Sequence, residues 1–350
     1  MIDIFDINIF KSDKNFETTV LSLPKIYWDE KYHCWVITSH QYIKQYLFDY
    51  KLFTVSKGYL LEHISNKEAR STNFGRPNYP DNIESRIDTS KHIKKYLNTI
   101  DNNLILKNIN NNKNILLEQD ILLNFLIDSH LHLIKLNEEE KFEIKTILNE
   151  YSQVFDTQIQ ANYYIYFINI INKIFKQRSI NLSKLEKKFY VDLLFSGTST
   201  ILSALKEMIL NIDKYEESNS NYINECLRHS SKSSFVIRTA TSDTIIDNNI
   251  IKANDIVIFH LGFGNFDVHR FDKDTFEFRS NRKFDRISLS FGSGPNQCVG
   301  YRYSLRQLND FLNFIKNKNI KINKIIELEK FNARMYYIDD ILIDIDDKMI

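Results

Sequence analysis

Residues 291–300 read FGSGPNQCVG, and the fold turns on this stretch. The chain has 8 glycines in 350 residues, yet Gly292, Gly294 and Gly300 fall within nine positions, around Cys298 and one of four prolines. Glycine lets backbone pass where a Cβ would collide, so such a cluster marks an irregular loop or a close approach to something flat. A lone cysteine is commonly a small buried hydrophobe, a role that needs no glycines. The following stretch, GYRYSLRQLNDFLNFI, reads as a helix whose amino-terminal N–H groups and dipole favour a thiolate. Arg282, Lys283, Arg286, Arg302 and Arg306 crowd the surrounding sequence. A thiolate metal ligand accounts for the glycines; a core cysteine does not.

Composition narrows the remaining classes. The hydrophobic content of 43% and charged content of 26% are those of a globular protein with a sizeable core. Against 46 basic residues stand 45 acidic ones, so no net field recruits nucleic acid or an acidic membrane. The cysteines, Cys34, Cys226 and Cys298, are too few for a disulfide framework and lack zinc spacing. MIDIFDINIFKSDKNF has neither the basic region nor the small-residue cleavage site of a signal peptide. The most apolar window, YYIYFINIINKIF at 163–175, is too short and Asn-broken to span a bilayer and reads as a buried helix. A reducing, cytoplasmic setting without membrane attachment is the expectation.

Along the chain, KIYWDEKYHCWVITSH reads as a hairpin and HQYIKQYLFD as a helix behind it. Residues 56–88 read as the longest loop, and helical periods dominate from 90 to 230. Strand-like runs return in SFVIRTAT, DIVIFHLGF and MYYIDDILIDI. The expectation is a single domain over 1–350, mainly α with small β-sheets.

One helix is well marked. Ser183 and Glu186 in SKLE form a capping box, and Phe189, Leu193, Leu194, Ile201, Leu205, Met208 and Ile212 recur at helical spacing. The pattern predicts one helix over about 184–212. Its middle, Ser196-Gly197-Thr198-Ser199-Thr200, is small and hydroxylated, and hydroxyls there can bond back to carbonyls and bend the helix. A plain helix crossing that needs small side chains fits this stretch equally well. Further on, Glu225 and Arg228 in ECLR sit three apart on one helical turn. Taken alone they read as a surface ion pair worth well under ~1 kcal/mol.

In order and spacing these features resemble the cytochrome P450 family: a long helix with a hydroxylated centre, then ExxR, then FGxGxxxCxG. Phe291, Gly292, Gly294, Cys298 and Gly300 match that family's cysteine loop, Glu225 and Arg228 its ExxR pair, and Ser196–Thr200 its (A/G)Gx(D/E)T segment. Arg238 in RTA matches a propionate-binding arginine, GNFDVHRF stands where the family reads ANRDPxxF, and DTSKHIKKY where it reads DPPxHxxxR. The likeness runs over nearly the whole chain and implies a cytochrome P450 fold of the soluble bacterial type.

The resemblance implies haem b (iron protoporphyrin IX) with Cys298 as axial iron ligand, a ligation that favours O–O cleavage. It implies cofactor contacts from His92, Tyr96, Arg238, Phe291, Gly292, Gly294, Asn296 and Gly300, with His92 and Arg238 carrying the propionates and Tyr96 assisting. Thr200, Ser199 and Gly197 would form the catalytic turn, and Leu193, Leu194, Thr198 and Phe235 the substrate pocket. The implied reaction is monooxygenation of a small-molecule or carrier-borne metabolite, in secondary metabolism, with electrons from a ferredoxin and its reductase. Oxidative coupling, desaturation or peroxide-driven chemistry is the alternative, and a non-catalytic binding module a third.

Departures from the family pattern qualify the transfer. Ser199 replaces the usual acid, Asn296 a customary His or Arg, and Tyr96 the arginine of HxxxR. The chain is also short for the family between about 104 and 183, where relatives build the lid. That shortage points to a more open pocket or a macromolecule-borne substrate.

Overall fold

The computed structural model describes residues 3–4, 6–55, 82–109, 111–132, 134, 136–152, 157–180, 183–283, 288–327 and 338–348. The aromatic, β-branched stretch near the start pairs as expected: β1 (Ile26–Asp29) and β2 (Cys34–Ile37) form an antiparallel hairpin. They join β3 (Phe53–Thr54), β5 (Val236–Ala240) and β8 (Ile256–Phe259) in a five-stranded sheet of order β1-β2-β8-β5-β3. Between β5 and β8 runs a small hairpin, β6 (Thr244–Ile246) and β7 (Asn249–Ile251). Its turn places Asp247 and Asn248 at φ of 48° and 63°, a conformation Asn and Asp tolerate well. A second sheet of order β4-β10-β9 joins β4 (Asn112–Leu116), β9 (Lys318–Glu327) and β10 (Ile338–Asp347).

Helices make the larger part. The main core gathers Leu122, Phe125, Leu126, Ile144, Phe167, Leu194, Leu205, Met208 and Leu312 from helices far apart in sequence. The window at 163–175 lies in the Thr157–Gln177 helix, whose Phe167, Ile170, Ile171 and Ile174 are buried. None of the described helices is long and apolar enough to cross a membrane.

The long helix starts as its capping box requires. Ser183 Oγ accepts from the Glu186 N–H, and Glu186 reaches back to the Ser183 N–H. It does not run on unbroken, however. An α-helical part, Lys184–Asp192, gives way to a wide turn over Leu193–Gly197, and α-helix resumes over Thr198–Leu210. Thr200 Oγ1 donates to the Ser196 carbonyl at 3.0 Å, the back-bond that hydroxyls in a helix centre make available.

Some expectations move. The loop expected at 56–88 ends earlier, because Ile83–Leu97 is helical; residues 56–81 lie outside the described residues. Strand β9 and the β6–β7 hairpin were not anticipated, and β4 lies within the stretch 90–230 that reads as mainly helical.

Candidate haem-thiolate site

The cysteine loop is closed by its own backbone. The Cys298 N–H donates to the Phe291 carbonyl at 2.9 Å, Gln297 N–H to Gly294 at 3.0 Å, and Gly292 N–H to Leu289 at 2.7 Å. The Cys298 side chain emerges exposed, three residues ahead of the Tyr301–Ile315 helix. That helix packs along the Thr198–Leu210 part of the long helix, in which Thr200 is exposed, as is Ser196 in the turn before it.

The three glycines do different work. Among the described residues, Gly292 (φ +70°) has nothing within 4 Å of an added Cβ, and Gly300 has only the Cys298 sulfur, at 3.7 Å. Gly300 thus lies beside the thiol, and no described residue crowds the space next to Gly292. Gly294 (φ +74°) instead meets the backbone of Leu47, whose carbonyl oxygen would lie 2.3 Å from a Cβ. It is required by packing against the end of the His40–Phe48 helix, not by anything at the sulfur. An exposed sulfur with Gly300 beside it, on a loop uncrowded at Gly292, fits a flat group ligated through that sulfur.

The ExxR pair is no surface feature. Glu225 and Arg228, on the Asn219–Ser230 helix, are both fully buried. They bond side-on, Arg228 Nη2 to Oε1 at 2.7 Å and Nε to Oε2 at 2.8 Å. Arg228 Nη1 also donates to the carbonyls of Thr275 at 2.6 Å and Asn265 at 3.2 Å. Arg282 joins from the other side, at 3.3 Å from Glu225 Oε1 and 3.0 Å from Asp274. Burial works to raise the Glu225 carboxyl, but Arg228 and His229 outweigh it and hold the group well below the usual range. The pair is coupled to the loop: Ser290 Oγ donates to the Leu227 carbonyl at 2.8 Å, and the Leu289 N–H to Asn265 Oδ1 at 2.8 Å. The loop thus rests on the ExxR cluster.

Other expected site residues are redistributed. Tyr96 is buried, and its hydroxyl donates to the carbonyls of Ser129 and His130, so it is not available to a propionate. His92 is half-buried, its ring 5.6 Å from that of Phe189. Arg238 is buried in β5, with Nη1 donating to the Ile237 carbonyl at 2.8 Å. Asn296 accepts from Asn82 at 2.9 Å. Leu193, Leu194 and Thr198 are packed inside the helical core, and Phe235 packs on the N-terminal cluster of Phe10, Phe16 and Phe263. Leu193, Leu194 and Thr198 thus face the protein interior, while Phe235, outside the helix, is half-buried. Gly197 likewise faces His130, 3.5 Å from a would-be Cβ, while Ser196 and Thr200 are exposed. Arg282, grouped in sequence with a basic surface, belongs to the ExxR cluster. Lys283 and Arg302 are exposed, Arg306 is tied to Asp310 at 2.7 Å, and Arg286 lies outside the described residues.

Two participants carry no sequence signal of the familiar kind. Arg86 Nη2 donates to the Gln297 carbonyl at 2.6 Å, bringing a guanidinium against the loop next to Cys298. His130 backs the wide turn of the long helix. An arginine in the four residues before DTSKH was the only available hint of the first.

Three buried histidines give the protein an acid weakness. Burial pulls His130, His229 and His260 down to about 3, with Arg228 adding to the effect at His229. In the unfolded chain such groups titrate near ~6.5. Between those values the unfolded state binds more protons, so stability rises with pH there. The contribution is fully present above about pH 6.5 and falls as pH drops towards 3, by up to ~1.4 kcal/mol per pH unit for each histidine. Urea midpoints at pH 7.5 and 5 should therefore differ strongly; equal midpoints would mean these rings are not buried neutral.

No family model matches the chain. The protein named "Putative cytochrome P450 133B2" from Xylella fastidiosa is 39% identical over 85 residues, 24% of this chain. The match spans 21% of that relative's length. Likeness of structure extends further. Cytochrome P450-153 from Novosphingobium aromaticivorans superposes with a TM-score of 0.74 at 16% identity, covering 98% of this chain and 99% of that one. P450BioI, solved in complex with hexadec-9Z-enoic acid ligated acyl carrier protein, gives 0.73 at 18% identity, covering 97% and 100%. Their common superposition over almost the whole chain shows that this chain has the cytochrome P450 fold, and about a quarter of it shares sequence with a protein named as a cytochrome P450.

Proposed function

We propose that the protein is a haem-thiolate monooxygenase, with Cys298 as the axial ligand of haem b. The single observation that carries this reading is the exposed Cys298 thiol, on a loop opened by Gly292 and Gly300 and seated on the buried Glu225–Arg228 cluster. When bound, the haem supplies the activation of O2. The chain's own residues hold and serve it: Cys298 binds the iron, Phe291, Gly292 and Gly300 frame the sulfur, and Arg86, His92 and Arg238 are the cationic or hydrogen-bonding partners for two carboxylates. Asn296 steadies the loop against the Ile83–Leu97 helix. Electrons come from a separate donor, a ferredoxin with its reductase, with Lys283 and Arg302 offering exposed positive charge. The substrate is a small molecule or one borne on a carrier protein, as the carrier complex of P450BioI illustrates for that protein.

Thr200 holds the proton-handling position. Its exposed hydroxyl donates to the Ser196 carbonyl, which fixes Oγ1 with its lone pairs open to a proton donor; passing its own proton on requires that bond to break. Ser199 offers no carboxylate beside it, the residue identity that favours a second reading, peroxide-driven turnover or oxidative coupling. Thr200→Ala separates the two. General acid assistance is worth ~10²–10⁴ in rate, so NADH-driven turnover in Thr200→Ala is expected to release hydrogen peroxide in place of most product. Product per NADH equal to that of the parent enzyme would refute this role for Thr200 and favour the second reading.

A further inference from the structure

A buried hydrogen-bond network behind the long helix fixes the protonation of one histidine. Asp310 accepts from Arg306 Nε at 2.7 Å and from Asn102 Nδ2 at 2.9 Å, which orients the Asn102 amide. Asn102 Oδ1 is therefore the acceptor for the Ser129 hydroxyl at 3.0 Å. With its only proton spent, Ser129 Oγ accepts from Gln307 Nε2 at 2.8 Å. Gln307 Nε2 also lies 3.1 Å from the Tyr303 hydroxyl, as its second N–H allows. Burial keeps the Tyr303 phenol protonated. Its proton goes along the shorter of two contacts, to His130 Nδ1 at 2.9 Å, in preference to Ser129 Oγ at 3.1 Å.

The imidazole is left with its N–H on Nε2. That nitrogen is fully buried and has no partner among the described residues. It lies 3.6 Å from where a Gly197 Cβ would stand, against the back of the wide Leu193–Gly197 turn. The next residue, Thr198, contributes a second buried hydroxyl without a partner among the described residues. An unmet buried donor is costly, and buried water is the usual way such groups are satisfied. Ser196 in this turn and Thr200 in the first turn of the helix that follows are exposed.

We propose that His130 is a positioning residue: with Thr198 it holds one buried water against this turn, and so fixes the backbone that carries the exposed Ser196 and Thr200. The geometry of the turn stands without any cofactor; its consequence for turnover rests on the monooxygenase reading.

Two measurements test this. Nitrogen-15 spectra of histidine-labelled protein should show His130 protonated at Nε2 and accepting at Nδ1, with no change between pH 8 and about 6; the signal is assigned by its loss in His130→Gln. A proton on Nδ1 would overturn the proposal. Amide exchange in the variants is the second. Glutamine carries an N–H near the Nε2 position, asparagine near Nδ1. His130→Gln should keep exchange of the Ser196–Thr200 amides within about threefold of the parent, while His130→Asn speeds it about tenfold or more. Equal exchange in the two variants overturns the positioning role. If the exchange order holds in a protein that shows no thiolate spectrum with carbon monoxide, the positioning role stands and the monooxygenase reading falls.

Discussion

Cys298→Ser is expected to abolish the carbon-monoxide absorbance diagnostic of thiolate ligation while leaving the fold intact. A serine hydroxyl does not ionise near neutral pH and cannot replace the anionic sulfur donor. The exchange costs little elsewhere, because the Cys298 side chain is exposed and an exposed substitution changes stability by only ~0.5 kcal/mol. Loss of the signal at unchanged melting temperature thus separates ligation from folding. A Cys298→Ser protein that kept the thiolate spectrum would sink the ligand assignment, since Cys34 and Cys226 are buried. Burial also pushes the Cys34 thiol up to about 12, far from a ready thiolate.

Glu225→Ala is expected to be the most destabilising single change. It strands the Arg228 guanidinium, which is fully buried, and removes an acceptor that also serves Arg282 and the Arg279 N–H. Removing one partner of a buried ion pair costs ~3–5 kcal/mol, a large share of the ~5–15 kcal/mol that holds a domain together. The damage should reach the thiol loop, because Ser290 and Leu289 are anchored to Leu227 and Asn265 around the same cluster. Haem retention and the urea midpoint should fall together. Glu225→Gln keeps the volume and one acceptor oxygen, and Arg228 keeps the carbonyls of Thr275 and Asn265, so it should lose less. A Glu225→Ala midpoint within about 1 kcal/mol of the parent would show the pair to be superficial.

Features that depend on neighbours in the chain were legible in the amino-acid order. The Ser183–Glu186 capping box, the β1–β2 hairpin, the Thr200 back-bond and the closed loop around Cys298 each rest on residues a few positions apart. Local sterics and local hydrogen bonds suffice to specify them. The ExxR pair was legible as a pair, yet its depth was not: two residues three apart on a helix look alike in water and in a core. Only the packing of Asn265, Thr275 and Arg282 around them decides which applies, and those groups lie 37 to 57 residues away.

The same distinction runs through the candidate site. From the sequence alone came the glycine-rich thiol loop, the hydroxylated turn and their order along the chain, because each is a short-range pattern. The tertiary structure decided what each glycine is for, placing Leu47 against Gly294 and open space beside Gly292. It also turned Tyr96, Leu194 and Thr198 into the protein, and brought Arg86 to the Gln297 carbonyl and His130 to the back of Gly197. No local rule determines these contacts. They follow from how separately formed helices and sheets bury their apolar faces against one another, which settles which side of each helix remains open to a ligand.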